Sequence, residues 1–314
     1  PAPPAAEGLR LVSFAPVSGQ SLRVGVIRSN GRILDVGAAA RRQKVSLSFD
    51  PADMISLIAA GDAARAEIRR LLDRDSAAGP LPAEVYLAAP IPRPARNVYA
   101  VGWNYREHFE EGKVFRDPGA TQTLPEHPVF FSKASHCING PYDPIPFDPA
   151  VSTMIDWEGE LAVIIGRRGR NIPEDRALAH VFGYCVINDT TARDIQQKKH
   201  GGQWFKGKSL DGHGPIGPCL VTADALDYDN LHLVTRVNGV VKQDANTKQM
   251  YFKVPRIIAE LSLGLTLEPG DIIATGTPPG VGYARKPAEF LKPGDVMETE
   301  ISGIGTLRNP IQAV

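Results

Sequence analysis

The segment Asp156-Trp157-Glu158-Gly159-Glu160 leads straight into the apolar run Leu161-Ala162-Val163-Ile164-Ile165. On a strand, residues i and i+2 share a face, so Glu158 and Glu160 point the same way at the mouth of a buried strand. Two neighbouring carboxylates repel, and burial adds to the cost, unless a cation sits between them. A hard divalent ion meets that need; a solvated strand edge is the plainer alternative. A second apolar stretch, residues 182–188, ends in Asp189 and supplies a third carboxylate. Oxygen ligands without a nearby histidine favour Mg²⁺, Mn²⁺ or Ca²⁺ over zinc.

Asn104-Tyr105-Arg106-Glu107-His108-Phe109-Glu110-Glu111 follows a strand-like segment. His108 and Glu111 are three apart and become neighbours on a helical turn. A carboxylate beside an imidazole fixes its tautomer and raises its basicity, which makes a general base. A mixed-charge surface helix would look the same. Residues 112–127 lack periodicity, as a mobile lid would.

Gly202-Gln203-Trp204-Phe205-Lys206-Gly207-Lys208-Ser209 matches the phosphate-loop pattern G-x-x-x-x-G-K-[ST]. That pattern needs a strand before it and a helix N-terminus after it. Here residues 191–199 read as helix, and Leu210-Asp211-Gly212-His213-Gly214-Pro215 cannot easily start one. Lys208 is better read as a positive charge for an anionic substrate than as a nucleotide ligand. Gly276-Thr277-Pro278-Pro279-Gly280-Val281-Gly282 is a plain turn or a loop offering the Thr277 hydroxyl and backbone N–H groups to a carboxylate. His180, His200 and His213 stand at no useful spacing.

The elements that must position these residues fall into two parts. Residues 9–14, 21–28 and 32–36 read as strands. Asp50-Pro51-Ala52 looks like a helix N-cap with proline in the first turn, and residues 62–73 read as helix. A boundary near residue 90 separates a small N-terminal α/β domain (1–90, the first ~8 residues disordered) from a β-rich domain (91–314). There strands are expected at 98–101, 129–132, 161–165, 182–188, 231–237, 271–274 and 295–301, with Asn238-Gly239 as a hairpin turn. The fold class is α+β, sandwich- or barrel-like, with loops carrying the function.

Composition narrows the functions. The 314 residues hold 35 Lys+Arg and 35 Asp+Glu, and zero net charge argues against nucleic acid or anionic membrane as partner. Three widely spaced cysteines form no zinc or disulfide pattern and suit a reducing compartment. No apolar run approaches the roughly 20 residues of a membrane span, and no signal-peptide pattern opens the chain. A cytoplasmic protein is expected.

In this order, the motifs resemble those of the fumarylacetoacetate hydrolase family, its domain-containing branch most closely, over roughly residues 97–310. They are Gly102-x-Asn104-Tyr105…His108-x-x-Glu111, Asp156-Trp157-Glu158-x-Glu160-Leu161-Ala162, Asn188-Asp189-x-x-Ala192-Arg193-Asp194, Gly207-Lys208-Ser209-x-Asp211, and Gly276-Thr277-Pro278-Pro279-Gly280-Val281-Gly282. The resemblance implies a mixed β-sandwich roll, usually a homodimer, with Mg²⁺ or Mn²⁺ on Glu158, Glu160 and Asp189. It implies a catalytic pair, His108 and Glu111, on a lid, joined by Lys208. It implies Tyr105, Arg193, Gln196, Lys208 and Thr277 as substrate contacts. The substrate would be a 2-oxo or 2,4-dioxo acid, bound through its carboxylate and 2-oxo oxygens, with charge stabilised at C3 by the metal as Lewis acid. Hydrolysis of an acylpyruvate or fumarylpyruvate C–C bond is the first expectation. Oxaloacetate decarboxylation, keto–enol tautomerisation and hydroxymuconate-type isomerisation are alternatives from the same chemistry. A non-catalytic metal or 2-oxo-acid binder is the alternative of another class, against which the intact His108–Glu111 pair argues.

Overall fold

The computed structural model describes residues 8–113 and 123–314. The opening residues expected to be disordered, and most of the expected lid, lie outside the described residues.

Along the chain come β1 (Arg10–Ala15), β2 (Arg23–Ile27), β3 (Ile33–Asp35), α1 (Val36–Gln43), α2 (Met54–Arg74) and β4 (Tyr86–Ala88). They are followed by β5 (Val98–Gly102), α3 (Arg106–Glu111), β6 (Val129–Lys133), β7 (Ile138–Asn139), β8 (Ile145–Phe147), β9 (Ile155–Asp156) and β10 (Gly159–Ile165). Next are β11 (Val181–Asn188), β12 (Thr191–Ala192), α4 (Arg193–Lys198), α5 (Phe205–Lys208), β13 (Gly214–Thr222), β14 (His232–Val237) and β15 (Val240–Asn246). The chain closes with α6 (Val254–Ser262), β16 (Ile272–Ala274), β17 (Val296–Ile301) and β18 (Gly305–Ala313).

One large mixed sheet runs β3-β2-β1-β13-β11-β10-β16-β5-β6, with β4 beside β1 and β7 beside β13. A second sheet runs β15-β14-β17-β18-β8. Side-chain alternation along β10 shows how they stack. Leu161, Val163 and Ile165 pack with Leu233, Ile301 and Leu307 of the second sheet and with Ile257 and Ile258 of α6. Ala162 and Ile164 face the opposite core, with Leu57, Ile58, Ile68 and Leu71 of α2. A strand covered on both faces must be apolar throughout, and every residue of β10 is buried.

The expected boundary at residue 90 does not interrupt the sheet. β1 pairs antiparallel with β13, Leu11 opposite Leu220, so the first segment contributes strands to the sheet that carries the site. The helix start expected at Asp50 lies at Asp53, whose side chain accepts from the Ile55 N–H. Asp50 instead closes a turn onto the Ala52 N–H. The helix expected over 62–73 is the second half of α2, which breaks at Gly61, at a φ of +57° that glycine adopts without steric cost. The three cysteines are buried and free. Among the described residues no helix is long and apolar enough to cross a membrane.

Candidate active site

Glu158, Glu160 and Asp189 converge, each offering an oxygen within 4.8 Å of the others, and all are buried. Strand pairing brings them together. Gly159 sits opposite Asn188 on the antiparallel neighbours β10 and β11, and the Asp189 N–H donates to the Glu158 carbonyl at 2.8 Å. Three carboxylates at the ends of two buried strands are thereby fixed by the main chain.

Cations hold two of them. Lys208 Nζ donates to Glu158 Oε2 at 2.6 Å and Asp189 Oδ2 at 2.7 Å. Arg193 Nη2 lies 2.7 Å from Glu158 Oε1, and Lys133 Nζ lies 2.8 Å from Asp189 Oδ1. Burial raises the Glu158 carboxyl, but Lys208 and then Arg193 outweigh it and push it down to about 2. Among the described residues Glu160 has no such cation at hydrogen-bond distance and accepts one backbone N–H, from Gly276 at 2.7 Å. Burial, then the charges of Asp189 and Glu158, raise its carboxyl well above the usual range. A divalent ion would remove that conflict. The all-oxygen donor set fits a hard cation. The residues present therefore fit Mg²⁺ or Mn²⁺.

His108 lies on α3 with Nδ1 2.7 Å from Glu111 Oε1. The other Glu111 oxygen accepts from the Gly280 N–H at 2.8 Å, so the pair is tethered to the 276–282 loop. That loop also aims the Gly276 N–H at Glu160. Pro278 and Pro279 carry no N–H, which leaves the Thr277 N–H as the remaining main-chain donor over residues 276–280. The Thr277 hydroxyl, expected to meet a substrate carboxylate, is committed elsewhere: it donates to the Gly159 carbonyl at 3.0 Å and accepts from Gln243 Nε2 at 2.7 Å.

A cavity of about 440 Å³ joins these groups, lined by His108, Glu158, Glu160, Arg193, Gln196, Lys208 and Thr277 among others. Tyr105 is not among the residues lining it; its side chain is fully buried, in the core cluster that also holds Val163 and Met250. Arg193, expected to contact substrate, spends its guanidinium on protein. Nε donates to Asp156 Oδ2 at 2.7 Å, Nη1 donates to Gln196 Oε1 at 3.0 Å, and the group stacks on Tyr283 at 4.2 Å. Gln196 keeps its amide N–H donors. The phosphate-loop pattern does not fold as one: α5 ends at Lys208, inside the motif, rather than starting after it.

An aromatic wall closes another side. Trp204 meets Trp103 and Phe131 edge to face, each with centroids 5.2 Å apart. A Cβ on Gly102 would come within 2.5 Å of the Trp204 ring, so glycine is what lets that ring approach. Trp103 takes a φ of +56°, uncommon for a bulky side chain.

Sequence reasoning missed four supports. Lys133 is fully buried against Asp189. Asp156 accepts from Arg193 and from the Gly282 and Tyr283 N–H groups. Gln243 holds Thr277 and the Gly159 N–H. Asn104 donates to the Phe252 and Thr275 carbonyls. For Asp156 and Asn104 a signal existed, since both stand inside the motifs; a polar residue next to a buried strand needs partners.

The family described as fumarylacetoacetate (FAA) hydrolase C-terminal matches residues 97–312. The chain is 40% identical to the mitochondrial oxaloacetate tautomerase fahd2 of Xenopus laevis, over 96% of this chain and 90% of that protein. It is 41% identical to the oxaloacetate tautomerase YisK of Bacillus subtilis, over 92% and 95%. Among solved structures, a fumarylacetoacetate hydrolase from Exiguobacterium antarcticum superposes with a TM-score of 0.80 at 40% identity, covering 98% of this chain and 100% of that one. A maleylpyruvate hydrolase from Sphingobium, in complex with manganese(II) and pyruvate, gives 0.76 at 31% identity, covering 97% and 99%. With the fold, the motif order and the carboxylate cluster in agreement, the chain belongs to the fumarylacetoacetate hydrolase family.

Proposed function

We propose that this protein is a divalent-metal-dependent tautomerase that interconverts the keto and enol forms of oxaloacetate. One observation carries the chemistry: the His108–Glu111 pair, 2.7 Å apart, lines the same cavity as the three-carboxylate cluster. A divalent cation held by Glu158, Glu160 and Asp189 would supply Lewis acidity to the 2-oxo group of a bound acid. Glu111 accepts from Nδ1 and so leaves Nε2 of His108 as the basic nitrogen. That nitrogen takes a proton from C3, and the 2-oxygen gains one; no bond between carbons breaks and no water is consumed. The Thr277 N–H and the Gln196 amide orient the acid, while Lys208 and Arg193 hold Glu158 ionised.

Relatives named as oxaloacetate tautomerases, at about 40% identity over nine-tenths of both chains, support this reaction over acylpyruvate cleavage. The hydrolase expectation has its own support in the maleylpyruvate hydrolase likeness, at lower identity. The two separate in one assay. With Mg²⁺ or Mn²⁺, enol absorbance of oxaloacetate should relax faster than the uncatalysed rate, with neither carbon dioxide nor acid release above background. Release of pyruvate from a 2,4-dioxo acid, with no effect on enol relaxation, would overturn the tautomerase.

A further inference from the structure

We propose that Lys198 receives the distal carboxylate of the substrate and so makes this site prefer a four-carbon 2-oxo dicarboxylate over a monocarboxylate analogue of similar size whose distal end is uncharged. The substrate class rests on the tautomerase reading; the assignment of the residue rests on observations of its own.

The cavity is lined by four basic side chains, and three are already committed. His108 is tied to Glu111. Lys208 is shared between Glu158 and Asp189. Arg193 is held by Asp156, Gln196 and Glu158. Lys198 is the fourth; it lines the cavity from the end of α4 and is exposed. Among the described residues it has no anionic partner. The wall formed by Trp103, Phe131 and Trp204 offers rings, against which a carboxylate would lose its hydration without a charge-bearing partner.

An acid bound at one end by the carboxylate cluster's ion must place its other end somewhere in this space. On the aromatic side a second carboxylate meets rings and indole N–H groups but, among the described residues, no uncommitted cation to balance its charge. On the α4 side it finds the Lys198 ammonium, whose flexible four-carbon stem adapts its reach, with Gln197 beside it on the same cavity lining. A lysine in the last turn also suits the helix dipole, but that role makes no distinction between ligands.

The test compares oxaloacetate with 2,4-dioxopentanoate, which carries an acetyl group in place of the distal carboxylate. Binding to the Mn²⁺-loaded protein is followed by tryptophan fluorescence, since two of its three tryptophans stand on the cavity wall. Wild type should bind oxaloacetate roughly tenfold tighter, the scale of one charge-assisted contact at an open rim. Lys198→Met should abolish that preference, leave the affinities for 2,4-dioxopentanoate and oxalate unchanged, and raise KM for oxaloacetate with little change in kcat. Lys198→Arg should restore most of it. An unchanged preference in Lys198→Met overturns the inference. A lysine-dependent preference without enol relaxation would instead sink the tautomerase reading and leave Lys198 in place.

Discussion

The ammonium of Lys133 sits 2.8 Å from Oδ1 of Asp189, and neither side chain touches solvent. Lys133 also donates to the main-chain carbonyl of Lys208, whose own ammonium takes the other Asp189 oxygen. One buried lysine from β6 thus braces a candidate metal ligand and the short helix carrying the second lysine. Removing one partner of such a pair strands the other's charge, at a cost of about 3–5 kcal/mol. Asp189 keeps Lys208 on its other oxygen, so Lys133→Met should lower the urea unfolding free energy by the lower end of that range, about 3 kcal/mol. A loss below about 1 kcal/mol would show that the pair is solvated in solution.

Glu160 offers the cleanest test of metal binding. Glu158 and Asp189 pair with lysine or arginine, so substituting either also orphans a cation. Among the described residues Glu160 is bonded only to a backbone N–H. Glu160→Gln should keep the fold and weaken Mn²⁺ binding in calorimetry by at least about 100-fold, more than loss of an outer-sphere partner costs. Wild-type affinity in this variant would remove Glu160 from the ligand set.

His108→Ala should retain Mn²⁺ affinity, because the imidazole is not among the three converging oxygen donors. Turnover should fall by roughly 10²–10⁴-fold, the usual worth of a positioned general base. Near wild-type kcat would move the proton transfer to another group. Loss of the metal would mean that the imidazole belongs to the metal site.

His213 sets a pH dependence unrelated to the metal. Its Nε2 donates to the Pro146 carbonyl at 2.9 Å, and Nδ1 has no partner among the described residues. Burial pushes its pKa down from 6.5 to about 4. Between those values the unfolded chain binds a proton that the folded protein refuses, so stability rises with pH across that window and is indifferent to this group above it. Going from pH 7.5 to pH 5 should cost wild type on the order of 2 kcal/mol more than His213→Gln. Parallel losses in the two proteins would mean that the imidazole protonates freely in the fold.

The carboxylate cluster was legible because period-two geometry and a strand end are local properties of the chain. The same holds for His108 and Glu111, one helical turn apart. Lys133 was not: a lysine closing an apolar strand reads as its exposed end, and its burial is explained by Asp189, just past the end of β11, and by the Thr190 and Lys208 carbonyls, all far from it in sequence. Arg193 and Thr277 were recognised as polar residues near the site, but their partners, Asp156 and Gln243, come from distant strands that no local pattern links. The strands of the first 90 residues were visible as strands. Their partner β13 lies far along the chain, so their place in the large sheet was not.

That pairing of β1 with β13 bears on how the protein can be cut and how it is made. A fragment beginning at residue 97, where the family match starts, would strip β1 from β13 and bare a row of main-chain donors and acceptors, an invitation to intermolecular strand addition. It would also uncover Leu220, Ile216 and Ile187, which now share a core with α2. During synthesis β1 emerges first and waits for most of the chain before β13 arrives. Closing so long a loop favours slow folding, and the early strands depend meanwhile on β2, β4 and the helices for cover.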